Sequence, residues 1–395
     1  MSIQTKEKQN VVTIIALLAS LFAQMQAISL LGISIPLSLS ATGAGVDSIG
    51  QVMALYSIGL VLGSYQGKRV IARVGHIRAF SGFAAIATMA AIIHSLTNSV
   101  LMFALLRILS GLAAAVMLVV IESWFNSLTI NTNRSRLLAI HQIIFYLAMG
   151  SGQLLINVVP GQINFAFSIA ALLSCLALIP MTLVRIENPT ISQVLPISFI
   201  ELFKIAPCGI LGAILAGNAI GTVFNLSPIY AQQMGTSTLN ISIFMSAIIF
   251  SGVLLQRPIG KLADKYPREY ILCLLLGLTL IASLLVPEFS STLPLPVLGI
   301  MVGAPIACLY PVSVATAYAN LPSNKAVASS SALLLAYAIG GFSGPILTSF
   351  AMASFGSQAL FYYLALSCLL GMAATIFFAF GSKLGLLFKK KPHIK

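Results

Sequence analysis

Twelve long apolar stretches separated by short polar connections leave this 395-residue chain few ways to fold. A helix needs about 20 apolar residues to cross a bilayer. Stretches of that length fall roughly at 11–34, 48–67, 79–97, 100–125, 137–158, 164–185, 205–230, 240–257, 269–287, 295–319, 327–351 and 358–381. The chain is 58% hydrophobic and only 7% charged, where a soluble domain carries roughly 25% charged residues. No single core absorbs that much apolar surface, so lipid must be the solvent. Lipid leaves no water to pair exposed backbone groups, and helices satisfy theirs internally. The expectation is an all-α membrane protein with twelve transmembrane helices. The first apolar stretch follows a short basic segment, as in a signal peptide. It runs past Val11–Leu31 without a small-residue cleavage site, and it reads as the first transmembrane helix.

The formal net charge of +13 does not point to nucleic acid, because the basic residues form no single patch. Every Lys and Arg except Arg107 lies at a terminus or in alternate connections. Lys68, Arg69, Arg73 and Arg78 follow the second stretch. Arg257, Lys261, Lys265 and Arg268 follow the eighth, and Lys383, Lys389, Lys390, Lys391 and Lys395 form the tail. Positive charge marks cytoplasmic loops, so both termini are expected in the cytoplasm and the protein in a plasma membrane. The five cysteines (Cys175, Cys208, Cys273, Cys308, Cys368) contain no CxxC pair and read as small packing residues.

The two halves look alike. Arg73 and Lys265, Gly111 and Gly303, Tyr146 and Tyr337, and Gly150 and Gly341 are spaced by nearly the same interval, about half the chain. The segment 186–204, with Asn188-Pro189, Pro196, Glu187 and Glu201, reads as a linker. It separates a six-helix bundle at 1–185 from a second at 205–395 with a short basic tail. Within the linker, Ser198–Ile205 fits either a short interfacial helix or coil.

The motifs carry a resemblance to a known family. Gly260-Lys261-Leu262-Ala263-Asp264-Lys265-Tyr266-Pro267-Arg268 matches the loop signature of the major facilitator superfamily, with Pro267 where Gly is usual. The first-half copy keeps Arg73, Gly75 and Arg78 but has Ala72 in place of Asp. Arg107-Ile108-Leu109-Ser110-Gly111 matches the Arg-x-x-x-Gly of helix four. The segments Arg73–Phe80 and Glu122-Ser123-Trp124 resemble a narrower bacterial branch. The helix-five antiporter signature is absent, with Gly150-Ser151-Gly152-Gln153 in its place; a partial echo, Gly340-Gly341-Phe342-Ser343-Gly344-Pro345, lies in helix eleven. The resemblance implies two pseudo-symmetric six-helix bundles, the major facilitator fold, and a bacterial inner-membrane secondary transporter.

Several residues are candidates for its mechanism. Arg107 stands about 10 Å into the fourth helix at 1.5 Å per residue. A charge at that depth faces a cavity or a partner, and the resemblance places it on the central cavity. It could bind an anionic group or couple to protons; the alternative is a hydrogen-bond hub for backbone carbonyls. Glu122, about 22 Å further along the helix, is either a proton site or a latch on Arg73 or Arg78, with Trp124 as an interfacial anchor. Gln142, Tyr146, Gly150, Gln153 and Asn157 share one face of helix five, a cavity wall or a hydrogen-bonded interface. His141 beside them reads as a packed or solvated histidine, the alternative being a group that titrates on the cavity. Gln24 with Ser20, Asn218, Thr222 and Asn225, and Tyr310 complete the expected cavity set. Asp264 and Arg268 read as gating residues, and Gly59/Gly63 and Gly340/Gly344 as close-packing pairs.

No Walker loop, metal-ligand cluster or nucleophile–base pair is present, so neither an enzyme nor a cofactor or metal is expected. The expected function is proton-coupled movement of a small organic solute, anionic or zwitterionic, by a monomer in the lipid bilayer. Multidrug efflux is the alternative, and a non-transporting sensor or scaffold is the alternative from another class. The charge pattern makes a direct prediction: single cysteines at Lys68 and Lys261 will be labelled from the same, cytoplasmic side of the membrane. Labelling from opposite sides would overturn the topology.

Overall fold

The computed structural model describes residues 3–128, 134–159, 161–183, 198–319, 321 and 323–381. Among them there is no strand, and twelve helices are long and apolar enough to cross a membrane. These are α1 (Val11–Ala41), α2 (Val46–Val74), α3 (His76–Leu96), α4 (Val100–Phe125), α5 (Leu137–Asn157) and α6 (Ile163–Leu183). They continue with α7 (Pro207–Gln233), α8 (Thr238–Lys265), α9 (Arg268–Phe289), α10 (Leu295–Ala319), α11 (Ser329–Phe355) and α12 (Ala359–Ala379).

The helices pair twice in the same pattern. In the first half α2 lies along α4, α1 against α5 and α6, and α3 against α4 and α6. In the second half α8 lies along α10, α7 against α11 and α12, and α9 against α10 and α12. Each pair recurs six helices later, so the halves are two equivalent bundles. Between them α2 packs on α11, α5 on α8 and α1 on α7, which is the pairing a pseudo-twofold axis requires.

Glycine sets the close approaches inside each bundle. A side chain on Gly59 or Gly63 of α2 would run into the Ile108 or Leu112 carbonyl of α4. Gly111 meets the Tyr56 carbonyl, and its repeat mate Gly303 meets the Ile248 carbonyl of α8. Gly340 and Gly344 of α11 stand against the Ile214 and Asn218 carbonyls of α7. Lipid tails give helices no hydrophobic reason to associate, so such backbone contact supplies the attraction.

Three local features differ from the sequence reading, and one of its open alternatives is decided. First, α2 and α8 run well past the predicted ends, so the basic loop signatures are helical. A helix can continue into water once polar side chains cover it, and α2 stops only at Gly75, whose φ of 84° lies in the left-handed region. Second, α6 breaks at Ala177 into Ile163–Leu176 and Leu178–Leu183; Pro180 lacks an N–H and its ring crowds the carbonyl four residues back. Third, Trp124 is no interfacial anchor. It is buried at 1% exposure, its ring 5.3 Å from that of His76, while His76 Nε2 and Ser123 Oγ are 3.0 Å apart. The two branch motifs thus pack on each other.

Of the two readings of Ser198–Ile205 in the linker, the helix is the one found, starting at Phe199. The linker's 186–197 part lies outside the described residues, as do Arg185 and the basic tail. Phe199–Ile205 is a helix whose Leu202 is buried beside Ile210, Ala213, Leu333 and Ala336, so it docks on α7 and α11.

Gly59→Leu should prevent α2 from seating on α4, because the obstacle is backbone and not a flexible side chain. Overpacking costs about 1–3 kcal/mol where neighbours can shift, and more is expected here. Size-exclusion profiles of detergent-solubilised protein should show loss of the monodisperse species, while Gly82→Leu, at an open position, should leave it intact.

Candidate functional site

The gap between the bundles is shut at one end. Near the start of α2, Gly50 packs against Ser349 of α11, whose hydroxyl donates to the Asp47 carbonyl at 3.4 Å. At the end of α5, Asn157 donates to Ser242 Oγ of α8 at 2.8 Å. One turn on, Ser246 donates to the Gly150 carbonyl at 2.8 Å, and the Phe250 ring fills the space over Gly150. At mid-depth Gln256 Nε2 donates to the Tyr146 phenol at 2.6 Å, and Gly252 allows that ring to approach. All these contacts lie at mid-depth or beyond it, away from the basic loops.

Toward the basic loops the gap opens. Glu122, near that end of α4, keeps an exposed surface. A cavity of about 190 Å³, lined by α8, α9 and α10 of the second bundle, runs from Gln256 and Cys308 at its deep end to Asp264 and Arg268 at its mouth. Tyrosines from both bundles gather above it. Tyr310 meets Tyr337 edge-on, ring centroids 5.0 Å apart. Tyr337 stands within electrostatic reach of Tyr56, Tyr146 and Tyr310, and Tyr310 within reach of Glu122 across the gap. All four phenols are half-buried. Their ring faces attract cations, and their hydroxyls give polar handles in an apolar wall.

Arg107 does not share this space. It is 4% exposed and enclosed by the first bundle. Its guanidinium lies over the Tyr56 ring at 4.4 Å, with a long contact of 3.5 Å to the Met53 carbonyl. The small chamber beside it, about 10 Å³, is lined by Gln24 of α1, Tyr56, Ser110 and Ser174. Gln24, expected on the central cavity, is therefore inside the bundle with Arg107.

The helix-five stripe splits. Tyr146, Gly150 and Asn157 face α8 across the gap, so this part is an interface between bundles. Gln153 turns the other way and is buried, donating to Ser29 Oγ of α1 at 2.9 Å. Gln142, half-buried, remains close to Tyr146, and His141 packs on Phe125. In the second bundle Asn218 donates to the Tyr363 phenol of α12 at 2.8 Å, and Asn225 to its own helix at Gly221. Asn218 thus braces α7 on α12 rather than lining the gap. A periodic polar face reveals that lipid is excluded but not which neighbour excludes it.

Among the gating candidates, Arg73, Arg78 and Asp264 are exposed. Arg268 donates to the Ala315 carbonyl of α10 at 3.0 Å, tying the loop signature to the cavity wall. Among the described residues none of them, nor Glu122, enters an ion pair. The latch between Glu122 and Arg73 or Arg78 is thus unmade in this conformation.

The structure adds Tyr56, Tyr337 and Gln256 to the site. Tyr337 was legible only as the repeat mate of Tyr146; Gln256 and Tyr56 carried no signal beyond being polar residues within apolar helices.

Comparison with known proteins places this geometry. The family profile described as Major Facilitator Superfamily matches residues 17–292 and 209–385. An uncharacterized MFS-type transporter of Yersinia enterocolitica, YE1530, is 28% identical over 361 residues, covering 89% of this chain and 92% of that one. The uncharacterized MFS-type transporter YcaD of Escherichia coli is 29% identical over 356 residues, with the same coverage of 89% and 92%. Among solved structures, a mutant of the nucleoside transporter NupG superposes with a TM-score of 0.80 at 14% identity, covering 92% of this chain and 99% of that one.

Joining Asn157→Cys to Ser242→Cys by oxidation should lock the shut end. The bridged protein should lose turnover, reduction should restore it, and Glu122→Cys should stay reactive to a thiol reagent from the basic side throughout. Full turnover in the bridged state would show that this end never opens.

Proposed function

Because the chain belongs to the Major Facilitator Superfamily, we propose that it is a secondary carrier that moves a small organic solute by alternating access. It is a multi-pass membrane transport protein and not an enzyme. We place it in a bacterial inner membrane as a monomer, with both termini and the basic loops in the cytoplasm, so the present conformation is inward-open. The observation that carries this reading is the asymmetry of the gap: clamped by side chains at one end, with an exposed Glu122 and a cavity of the second bundle at the other, and a half-buried tyrosine cluster at the divide. Two equivalent bundles rocking about that cluster would expose it to each side in turn.

The class of solute follows from which charges reach the gap. A preference for anionic or zwitterionic solutes rested on Arg107 in a shared cavity. Enclosed in a chamber of about 10 Å³, Arg107 has no room beside it for an organic molecule. The groups on the gap are phenol faces, Gln256 and Glu122, with Asp264 and Arg268 opposing each other in charge at the cavity mouth. They favour an amphipathic solute that is cationic or neutral, which supports the efflux alternative. Glu122, exposed and without an ion pair, is the carboxyl best placed to exchange a proton for such a solute.

Purified protein in proteoliposomes, tested with labelled metabolites and lipophilic cationic dyes, with and without a pH gradient, separates these readings. Gradient-driven movement of cationic amphiphiles is expected, falling at least roughly tenfold in Tyr337→Ala, since a cation–π contact that excludes water contributes about 2 kcal/mol. Glu122→Gln should uncouple movement from the gradient. Transport confined to anions would reject the solute class, an unaltered gradient response in Glu122→Gln would return that residue to the latch role, and no movement of any solute would favour a sensor or scaffold.

A further inference from the structure

The chamber around Arg107 holds a group of buried polar atoms with nothing to bond. Arg107 Nε, Gln24 Oε1 and Ser110 Oγ are all buried and lack hydrogen-bond partners, and the three side chains line the same space. Ser20 Oγ, one turn from Gln24 on α1, is also unpartnered. Their residues are 4%, 2%, 6% and 0% exposed. Buried polar groups are almost always satisfied, and an exception calls for an occupant.

The charge balance says what kind. Asp47 and Glu122 are the described acidic side chains of the first bundle. Glu122 is fifteen residues along α4, about 22 Å from Arg107. Asp47 is nine residues before Tyr56 on α2, about 13 Å away. Neither can pair with the guanidinium. His94, within electrostatic reach of Arg107 and with its Nδ1 2.6 Å from the Ala90 carbonyl, supplies no negative charge. Arg107 is thus a buried charge with no acid beside it, and a buried charge without a counter-charge is strongly disfavoured.

Size restricts the occupant to one small species, since about 10 Å³ is close to the least that holds a water; a halide, which is larger than water, enters only as the flexible Gln24 and Arg107 side chains draw back. Water would satisfy hydrogen bonds but supplies no counter-charge. An anion does both. The guanidinium and the Ser110 hydroxyl can donate to it, and the Gln24 amide, whose nitrogen and oxygen exchange places on a half-turn, can turn its N–H groups inward.

We propose that this chamber is a binding site for a single monatomic anion, chloride in the cell, held as the resident counter-ion of Arg107. It is distinct from the gap, because every residue lining the chamber belongs to the first bundle and the gap lies between two, with the Tyr56 ring as the wall between them. The ion would fasten α1, α2 and α4 together at mid-depth.

The test uses the full chain in nanodiscs of uncharged lipid, at one pH and one ionic strength, with sodium chloride, bromide or gluconate. The thermal midpoint should rise by several degrees from gluconate to chloride or bromide, in a saturable way. Ser110→Ala should raise the half-saturating chloride concentration roughly tenfold, as expected for one lost bond to an ion. Arg107→Gln should abolish the response, and bromide should give an anomalous diffraction peak beside Arg107. Equal midpoints in chloride and gluconate would overturn the proposal and leave a water in the chamber. A full halide response in Arg107→Gln would overturn it by placing the ion elsewhere. Should Arg107→Gln fail to reach the membrane, Ser110→Ala decides alone: an unchanged half-saturation overturns the site. Because the readout is ion binding and not transport, it stands or falls independently of the solute class.

Discussion

Inside a bilayer the backbone can bond only to itself, and helices gain nothing by burying apolar surface that lipid already solvates. What joins one helix to the next must therefore be close packing or a polar contact. This chain uses both, and glycine packing also crosses the seam where Gly50 of α2 meets the Pro345 carbonyl of α11. Within each bundle, glycines at 59, 63, 111, 303, 340 and 344 bring backbone against backbone, contacts that a rotamer change cannot release. Between the bundles the contacts include single side-chain hydrogen bonds, such as Asn157 to Ser242 and Gln256 to Tyr146. Interhelical bonds of that kind average about 0.6 kcal/mol each in membranes. Two firm bodies meeting at a weakly bonded seam are what a rocking carrier requires.

The placement of charge gives that mechanical plan its chemistry. Arg107 and Glu122 are both on α4, and they look like a matched pair of functional charges when read along the chain. Helical geometry separates them in depth, and packing separates them in environment. Arg107 is folded into the first bundle over Tyr56, whereas Glu122 is left on the open side of the gap, within reach of Tyr310. The residue with the more conspicuous charge thus serves the interior of a bundle, and the one near the loop is free to meet a solute or a proton.

Much of the fold was legible because membrane insertion is a property of composition over length. All twelve apolar stretches correspond to spanning helices. Ends were less legible: α2 and α8 continue through their basic signatures because charge does not stop a helix, while Gly75 and Pro180 act at single positions. The candidate site was legible only in part. Tyr146 and Tyr310 do lie at the gap, but Gln153 and Asn218 bond neighbours in their own bundles. A polar residue every three or four positions marks a face that avoids lipid, and helix neighbours avoid lipid as surely as cavities do. Trp124 misled for a related reason, since its position near a helix end fits an anchor unless His76 is there to cover it.

By itself the sequence determined that the chain crosses the membrane as helices, that its halves repeat, and that charge gathers on one side. Each of these follows from solvation along the chain and needs no knowledge of neighbours. The tertiary structure decided which polar residues face the gap, that Arg107 is shut away while Glu122 is not, and that the far end is the closed one. Those facts depend on the azimuth of each helix and the partner it packs against, and both are set by contacts between segments far apart in the chain.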